Sequence, residues 1–143
     1  MACPFFFPQQ RRDDLAWPHP ARLPLGAGFG GLCRAHGDAA TEPGDPALRD
    51  FCNLGYAGAC PRLPGERAAD CARYAVHLDA GARIVIAWVL ERDHAPGEHG
   101  HVEYDRTAGA FASQHPDPCL QRQLECYLES YLRRQPPAAD ERS

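Results

Sequence analysis

Residues 52–62 read CNLGYAGACPR, and this stretch organises the first half of the chain. Cys52 and Cys60 bracket a seven-residue loop that contains two glycines, and Pro61 follows the second cysteine. The loop has no helical or strand periodicity, and its glycines allow tight turns and close approach to another group. We therefore interpret it as a loop that wraps around something its cysteines hold.

Two more cysteines lie upstream in similar glycine- and proline-rich surroundings. Cys3 is followed by a proline, and Cys33 ends the glycine-rich segment of residues 25–33. Structural zinc sites usually contain a C-x2–4-C pair, whereas an iron–sulfur cluster is larger than one ion and takes ligands from several loops. The spacing C-x29-C-x18-C-x7-C contains no such pair. We therefore expect an iron–sulfur cluster, with 4Fe–4S favoured, on Cys3, Cys33, Cys52 and Cys60; zinc, disulfides and unrelated buried thiols are the alternatives.

Other residues near these cysteines fit a buried centre. Arg62 has two interpretations: it neutralises an anionic thiolate centre, or it pairs with Glu66 at the surface. Cys71, Cys119 and Cys126 are interpreted as small buried hydrophobic residues. Aromatic residues that would shield the centre from solvent are Phe5, Phe6, Phe7, Phe29, Phe51 and Tyr56.

Length and charge limit the class of protein. We expect residues 1–134 to form a single domain, with a Cys-rich metal-binding half (1–67) and a sheet-plus-helix half (68–134), followed by a disordered tail (135–143). The net charge is −4 and all 15 basic residues are arginine, which disfavours nucleic-acid binding. No apolar run approaches the roughly 20 residues of a membrane span, and no basic leader precedes the first apolar residues. These features predict a cytoplasmic protein, where clustered cysteines favour metal binding over disulfides.

The second half contains the periodic patterns. Apolar residues alternate over residues 72–78, and a largely β-branched run follows over 84–90 after a glycine-containing turn. Residues 98–104 predict a third strand after a turn at 95–97. Asp117 and Pro118 open a helix whose apolar stripe comprises Leu120, Leu124, Tyr127, Leu128, Tyr131 and Leu132. The predicted fold is α+β: a three-stranded antiparallel meander with this helix on one face and the irregular Cys-rich half on the other.

Several strings of this sequence resemble a small group of bacterial proteins that carries no established activity. The similar strings are CPFF at residues 3–6, the segment 25–33, CNLGYA at 52–57 and CPR at 60–62, and they continue through 90–94, 99–100 and 127–133. This covers most of the chain. The resemblance implies that the four cysteines act as one unit. It does not point to any particular enzymatic reaction.

Possible catalysis centres on His94, His99 and His101, which could form a second metal site or an acid–base site. A polar hairpin is the simpler interpretation, and no known nucleophile or metalloprotease motif is present, so we assign no catalytic residue. The sequence favours a non-enzymatic iron–sulfur protein for electron transfer or redox sensing, with a protein redox partner. The alternative is a structural or adaptor protein in which zinc or a cluster only staples the fold, while the sheet and helix bind a protein.

Overall fold

A computed structural model describes residues 2–17, 23–35, 40–53 and 60–134. The middle of the Cys52–Cys60 loop (54–59) and the tail (135–143) lie outside the described residues, so the predicted conformation of the loop and the predicted disorder of the tail stay predictions. The elements are β1 (Phe6–Arg11), β2 (Phe29–Cys33), α1 (Asp45–Ala47) with a π-helical turn (Leu48–Cys52), β3 (Cys71–Asp79), β4 (Arg83–Arg92), β5 (Ala95–Asp105), β6 (Ala110–Phe111) and α2 (Pro118–Arg134).

The second half is an antiparallel sheet in the order β3-β4-β5-β6, with α2 after it. The predicted strands and helix are confirmed, but the prediction of three strands is wrong because β6 adds a fourth. It pairs through only two residues, Ala110 and Phe111, which is too short for any periodicity. The second turn is also displaced: it lies at Asp93 and His94, both with positive φ, and residues 95–97 already belong to β5.

The first half contains a strand pair that the sequence did not predict. β1 and β2 pair antiparallel from Phe6 opposite Cys33 to Arg11 opposite Phe29. The backbones approach so closely that a Cβ on Gly31 would overlap the carbonyl of Phe7. Glycines inside a strand hide it from a pattern search, so the expectation of a wholly irregular half is wrong.

Helix α2 lies between the two halves. Leu124 and Leu128 pack with Ile84, Ile86 and Val102 of the sheet. Cys126, elsewhere on the same helix, packs instead with apolar residues of the first half, among them Ala2, Phe6, Leu25 and Phe29. Arg122 ties the helix to β1 by donating to the carbonyls of Pro8 (2.8 Å) and Gln9 (3.0 Å).

The other face of the sheet therefore differs from the expectation. The first half was predicted to cover it, but that half packs against α2, and on the outer face His77, His99 and His101 are exposed. Helix α2 therefore packs between the sheet and the apolar residues of the cysteine-bearing half, while Ala2 of that half pairs directly with Ala72 at the edge of the sheet. No helix among the described residues is long and apolar enough to cross a membrane.

Candidate metal centre

Cys3 lies buried in the turn before β1, where its backbone is fixed from two directions. Its N–H donates to the carbonyl of Cys52 at 3.3 Å, and its carbonyl accepts from Phe6 N–H at 3.1 Å. The same carbonyl accepts from Gln123 Nε2 at 2.7 Å, and Gln123 also donates to the carbonyl of Phe6 at 2.8 Å. Tyr74 completes this fully buried amide by donating its hydroxyl to Oε1 at 2.7 Å. The amide thus joins Cys3 to both the helix and the sheet.

Cys52 ends the π-helical turn and is held by its neighbour Asn53, which is 1% exposed. Asn53 Oδ1 accepts from Phe29 N–H at 3.0 Å, and Nδ2 donates to the carbonyls of Phe29 (2.9 Å) and Leu48 (3.0 Å). The side chain thereby pairs with the backbone of β2 as another strand would. The segment that carries Cys52 is fixed against the strand that ends at Cys33.

Cys33 and Cys60 are half-buried. Cys33 exchanges backbone hydrogen bonds with Thr41, at 2.7 and 3.1 Å. The carbonyl of Cys60 accepts from Leu63 N–H at 3.1 Å. Arg62 connects the two segments, because its Nη2 donates to Thr41 Oγ1 at 2.7 Å.

Charge on Cys33 and Cys60 acts on the two buried thiols, Cys3 and Cys52. Burial raises the pKa of Cys3 to about 12, and negative charge on Cys33 and Cys60 contributes to the rise. Burial also raises the pKa of Cys52, with contributions from Cys3, Cys33 and Cys60. Such charge effects are short-ranged. A hydrogen bond places the backbone of Cys3 beside Cys52, and strand pairing places Cys33 opposite Phe6, three residues after Cys3. Cys60 is related to them by these charge effects.

Over residues 2–17, 23–35, 40–53 and 60–134, no three His, Cys, Asp or Glu side chains are arranged to hold one metal ion. A structural zinc ion needs its ligands at about 2.0–2.3 Å from one point, whereas a cluster of several atoms separates its cysteines further. None of the seven cysteines, all of which lie among the described residues, forms a disulfide.

Cys119 is a fifth thiol near the group that the sequence did not reveal. It lies in the first turn of α2, with Sγ 3.9 Å from the carbonyl oxygen of Phe5. Burial raises the pKa of Cys119 to about 11, and negative charge on Cys33 contributes. No local motif links a helix start to cysteines more than 80 residues upstream. Cys71 and Cys126, like Cys119, are buried as predicted.

The surroundings combine apolar side chains with a buried guanidinium. Phe6 and Phe29 are buried in the same apolar cluster as Cys3 and Cys52, as the shielding prediction required. Arg62 has a buried Nε for which the described part of the chain supplies no hydrogen-bond partner, as do Arg49 and Arg67. The ring of Phe7 instead contacts the guanidinium of Arg34, whose Cζ lies 4.2 Å from the ring centroid. Tyr56 lies outside the described residues.

The histidines do not form the second site that the sequence allowed. His99 and His101 share one face of β5, as predicted, whereas His94 lies in the preceding turn. The ring of His101 packs on His77 of β3 instead, with centroids 4.8 Å apart. The three predicted histidines therefore do not converge. No protein-family model, curated protein or solved structure matches this chain.

Proposed function

We propose that the chain is a small cytoplasmic iron–sulfur protein that serves electron transfer or redox sensing. Cys3, Cys33, Cys52 and Cys60 would hold a 4Fe–4S cluster. When bound, such a cluster supplies a reversible one-electron couple. The observation that carries the proposal is geometric: the buried Cys3 donates its backbone N–H to the carbonyl of the buried Cys52 at 3.3 Å, and Cys33 pairs opposite Phe6, three residues after Cys3. Negative charge on Cys33 and Cys60 adds to the raised pKa of both buried thiols.

The chemistry of the site supports this donor set. Thiolates bind metals, and ligation displaces the thiol protons. A buried guanidinium N–H without an acceptor is unfavourable, and an anionic sulfur-rich centre beside Cys33 and Cys60 would supply an acceptor for Arg62. This supports the interpretation of Arg62 as a neutralising group over the Glu66 ion pair.

The remaining residues act on the site without being ligands. Asn53 and Gln123 hold the backbone that carries Cys52 and Cys3. Phe6 and Phe29 exclude water from the buried side. The half-buried Cys33 and Cys60 mark the side that a protein redox partner would approach.

The decisive experiment compares two cysteine variants after anaerobic purification. Wild-type protein is expected to be brown and to contain about four irons and four sulfides per chain. Cys52→Ser should lose iron and sulfide and increase amide hydrogen exchange in residues 2–67. Cys126→Ser is the matched control, because Cys126 is equally buried in the same apolar cluster and should keep the wild-type content. Equal iron in the two variants contradicts the assignment.

The second candidate is a structural role, in which the centre only staples the cysteine-bearing half while the sheet and helix bind a protein. The short strands and three-residue α1 of that half favour it, since small irregular regions commonly need a staple. A reversible redox titration of the purified protein separates the two: a stable couple supports electron transfer or sensing. One zinc per chain and no colour would establish the staple.

A further inference from the structure

A cavity of about 260 Å³ lies beside the cysteine-bearing half, between the end of the sheet and the start of α2. Its apolar wall includes Phe5, Ala69, Leu90 and Leu120. An engineered cavity of about 150 Å³ accepts benzene, so this one has room for about ten non-hydrogen atoms. The space is therefore large enough for a small organic molecule.

One side of the cavity is polar. Val102 and Tyr104 of β5 pack toward α2, and the pairing of β4 with β5 shifts register between this part of the strand and Pro96. Glu98 lies at that shift, is exposed, and lines the cavity from its solvent side. Its carboxylate therefore borders the apolar space at the opening.

His115 is held firmly in the same wall. Its ring contacts Trp88 edge-on, with centroids 4.4 Å apart, and Trp88 in turn lies against Gly100, where a Cβ would crowd the indole. Nδ1 accepts from the N–H of Asp117 at 2.9 Å. Since Nδ1 accepts, the neutral ring carries its proton on Nε2.

The charge of the cavity is negative. Burial lowers the pKa of His115, against the opposing effect of the Asp117 and Glu98 carboxylates, so the ring is neutral at pH 7. Asp117 caps the N-terminus of α2, because its Oδ1 accepts from the N–H groups of Cys119 (2.8 Å) and Leu120 (3.4 Å). Its negative charge offsets the positive end of the helix dipole. The carboxylates of the exposed Glu98 and Asp117 therefore border an apolar space, and the described residues that line it include no cationic side chain.

We propose that this cavity binds a small organic cation, a primary amine with an apolar body, and that Glu98 and Asp117 bind the ammonium group. The apolar body would lie against Phe5, Leu90 and Leu120. None of the four cysteines lines this site, although Pro4 and Phe5 of its wall directly follow Cys3.

The test titrates the full-length protein with three probes of similar shape, followed by two-dimensional NMR. Phenethylamine should bind saturably and shift the amide signals of residues 98 and 115–120. 2-Phenylethanol should bind about fivefold more weakly, since it cannot pair with a carboxylate, and 3-phenylpropionate should not bind. Equal binding of the three probes, no saturation, or shifts confined to other residues would overturn the proposal.

Two pairs of variants locate the site. Glu98→Gln should weaken phenethylamine binding about fivefold, and Glu129→Gln, on the exposed side of α2, should leave it unchanged. Ala68→Trp, at the exposed rim of the cavity, should abolish binding, whereas Ala75→Trp on the outer sheet face should not. Identical affinities within either pair contradict the placement.

Discussion

Residues 71–134 and residues 2–70 hold their backbones in different ways. The first of these regions has strands of 9, 10 and 11 residues and a 17-residue helix. The second has strands of 6 and 5 residues and an α-helix of three. In residues 2–70, buried polar side chains supply backbone hydrogen bonds that strand pairing supplies in residues 71–134. The difference indicates that a few residues, together with the proposed centre, decide the stability of the cysteine-bearing half.

Gln123→Leu is the most severe test of this contrast, because Gln123 connects both regions. The change leaves the carbonyls of Cys3 and Phe6 and the hydroxyl of Tyr74 without their buried partner. We expect the free energy of unfolding in urea to fall by about 4 kcal/mol. Gln9→Leu, the same substitution at an exposed position, should change it by less than about 0.5 kcal/mol. Similar losses in the two variants would contradict the role of Gln123.

Asn53→Ala acts within one region. It removes three buried hydrogen bonds to Phe29 and Leu48 and should cost about 3 kcal/mol. Because the bonds lie in the cysteine-bearing half, native-state hydrogen exchange should accelerate in residues 2–53 and stay slow in β3, β4 and β5.

The control for Asn53→Ala is Asp50→Ala, an exposed position on the same helical turn. It should leave exchange in residues 2–53 at the wild-type rate. If Asn53→Ala accelerates exchange in the sheet by the same factor, the two regions unfold as one unit and the contrast between them fails.

The same contrast decides how much of the fold the sequence could predict. Strands β3, β4 and β5 and helix α2 follow periodic burial, which a sequence displays directly. Strands β1 and β2 do not, because Pro8 and the glycines of β2 break the pattern. The order of layers was also beyond the sequence, since both sides of α2 carry apolar residues and nothing in the pattern says which layer meets which side.

The candidate site divides similarly. The four cysteines could be grouped because they share glycine- and proline-rich surroundings. Their polar supports could not, since Asn53 bonds a residue 24 positions away and Gln123 one 120 positions away. Cys119 was missed for the same reason. Long-range pairing leaves no local signal in a single sequence.

Asp70→Asn tests the junction of the two regions through pH, because Asp70 lies at the end of residues 2–70 and accepts from the N–H of Asp93 in the β4–β5 turn at 3.1 Å. Burial would raise the pKa of Asp70, but the N–H of Asp93, the guanidinium of Arg67 and the thiol of Cys71 outweigh it and lower the pKa. Because the pKa of Asp70 is lower in the folded state, its ionised carboxylate stabilises the fold at pH values above the unfolded-state pKa of about 4. This stabilisation is lost as the pH falls through the folded-state pKa. The variant should therefore be about 1–2 kcal/mol less stable at pH 7.

Urea unfolding between pH 7 and pH 2 measures this effect. The difference between wild type and Asp70→Asn should shrink steadily below about pH 4. Asp13→Asn, at a side chain that is 72% exposed, should show no such difference at any pH. A constant gap across the range would mean that the charge of Asp70 contributes nothing.

His94→Gly should have the smallest effect and the opposite sign. His94 follows Asp93 in the β4–β5 turn, with φ of 68° and 52° respectively. This conformation is uncommon for residues other than glycine, and Asn, Asp and His are the most frequent exceptions. Glycine adopts it without strain, so stability should rise by about 0.5 kcal/mol. His99→Gly makes the same exchange in extended backbone of β5, where glycine lowers stability by about 0.5–1 kcal/mol. A gain in stability for His94→Gly and a loss for His99→Gly in thermal unfolding would show that backbone conformation at the β4–β5 turn limits the stability of the sheet region. The cysteine-bearing half would then differ, because its stability depends on buried polar hydrogen bonds. Lower stability in both variants would show that the His94 side chain contributes more stability than its backbone strain removes.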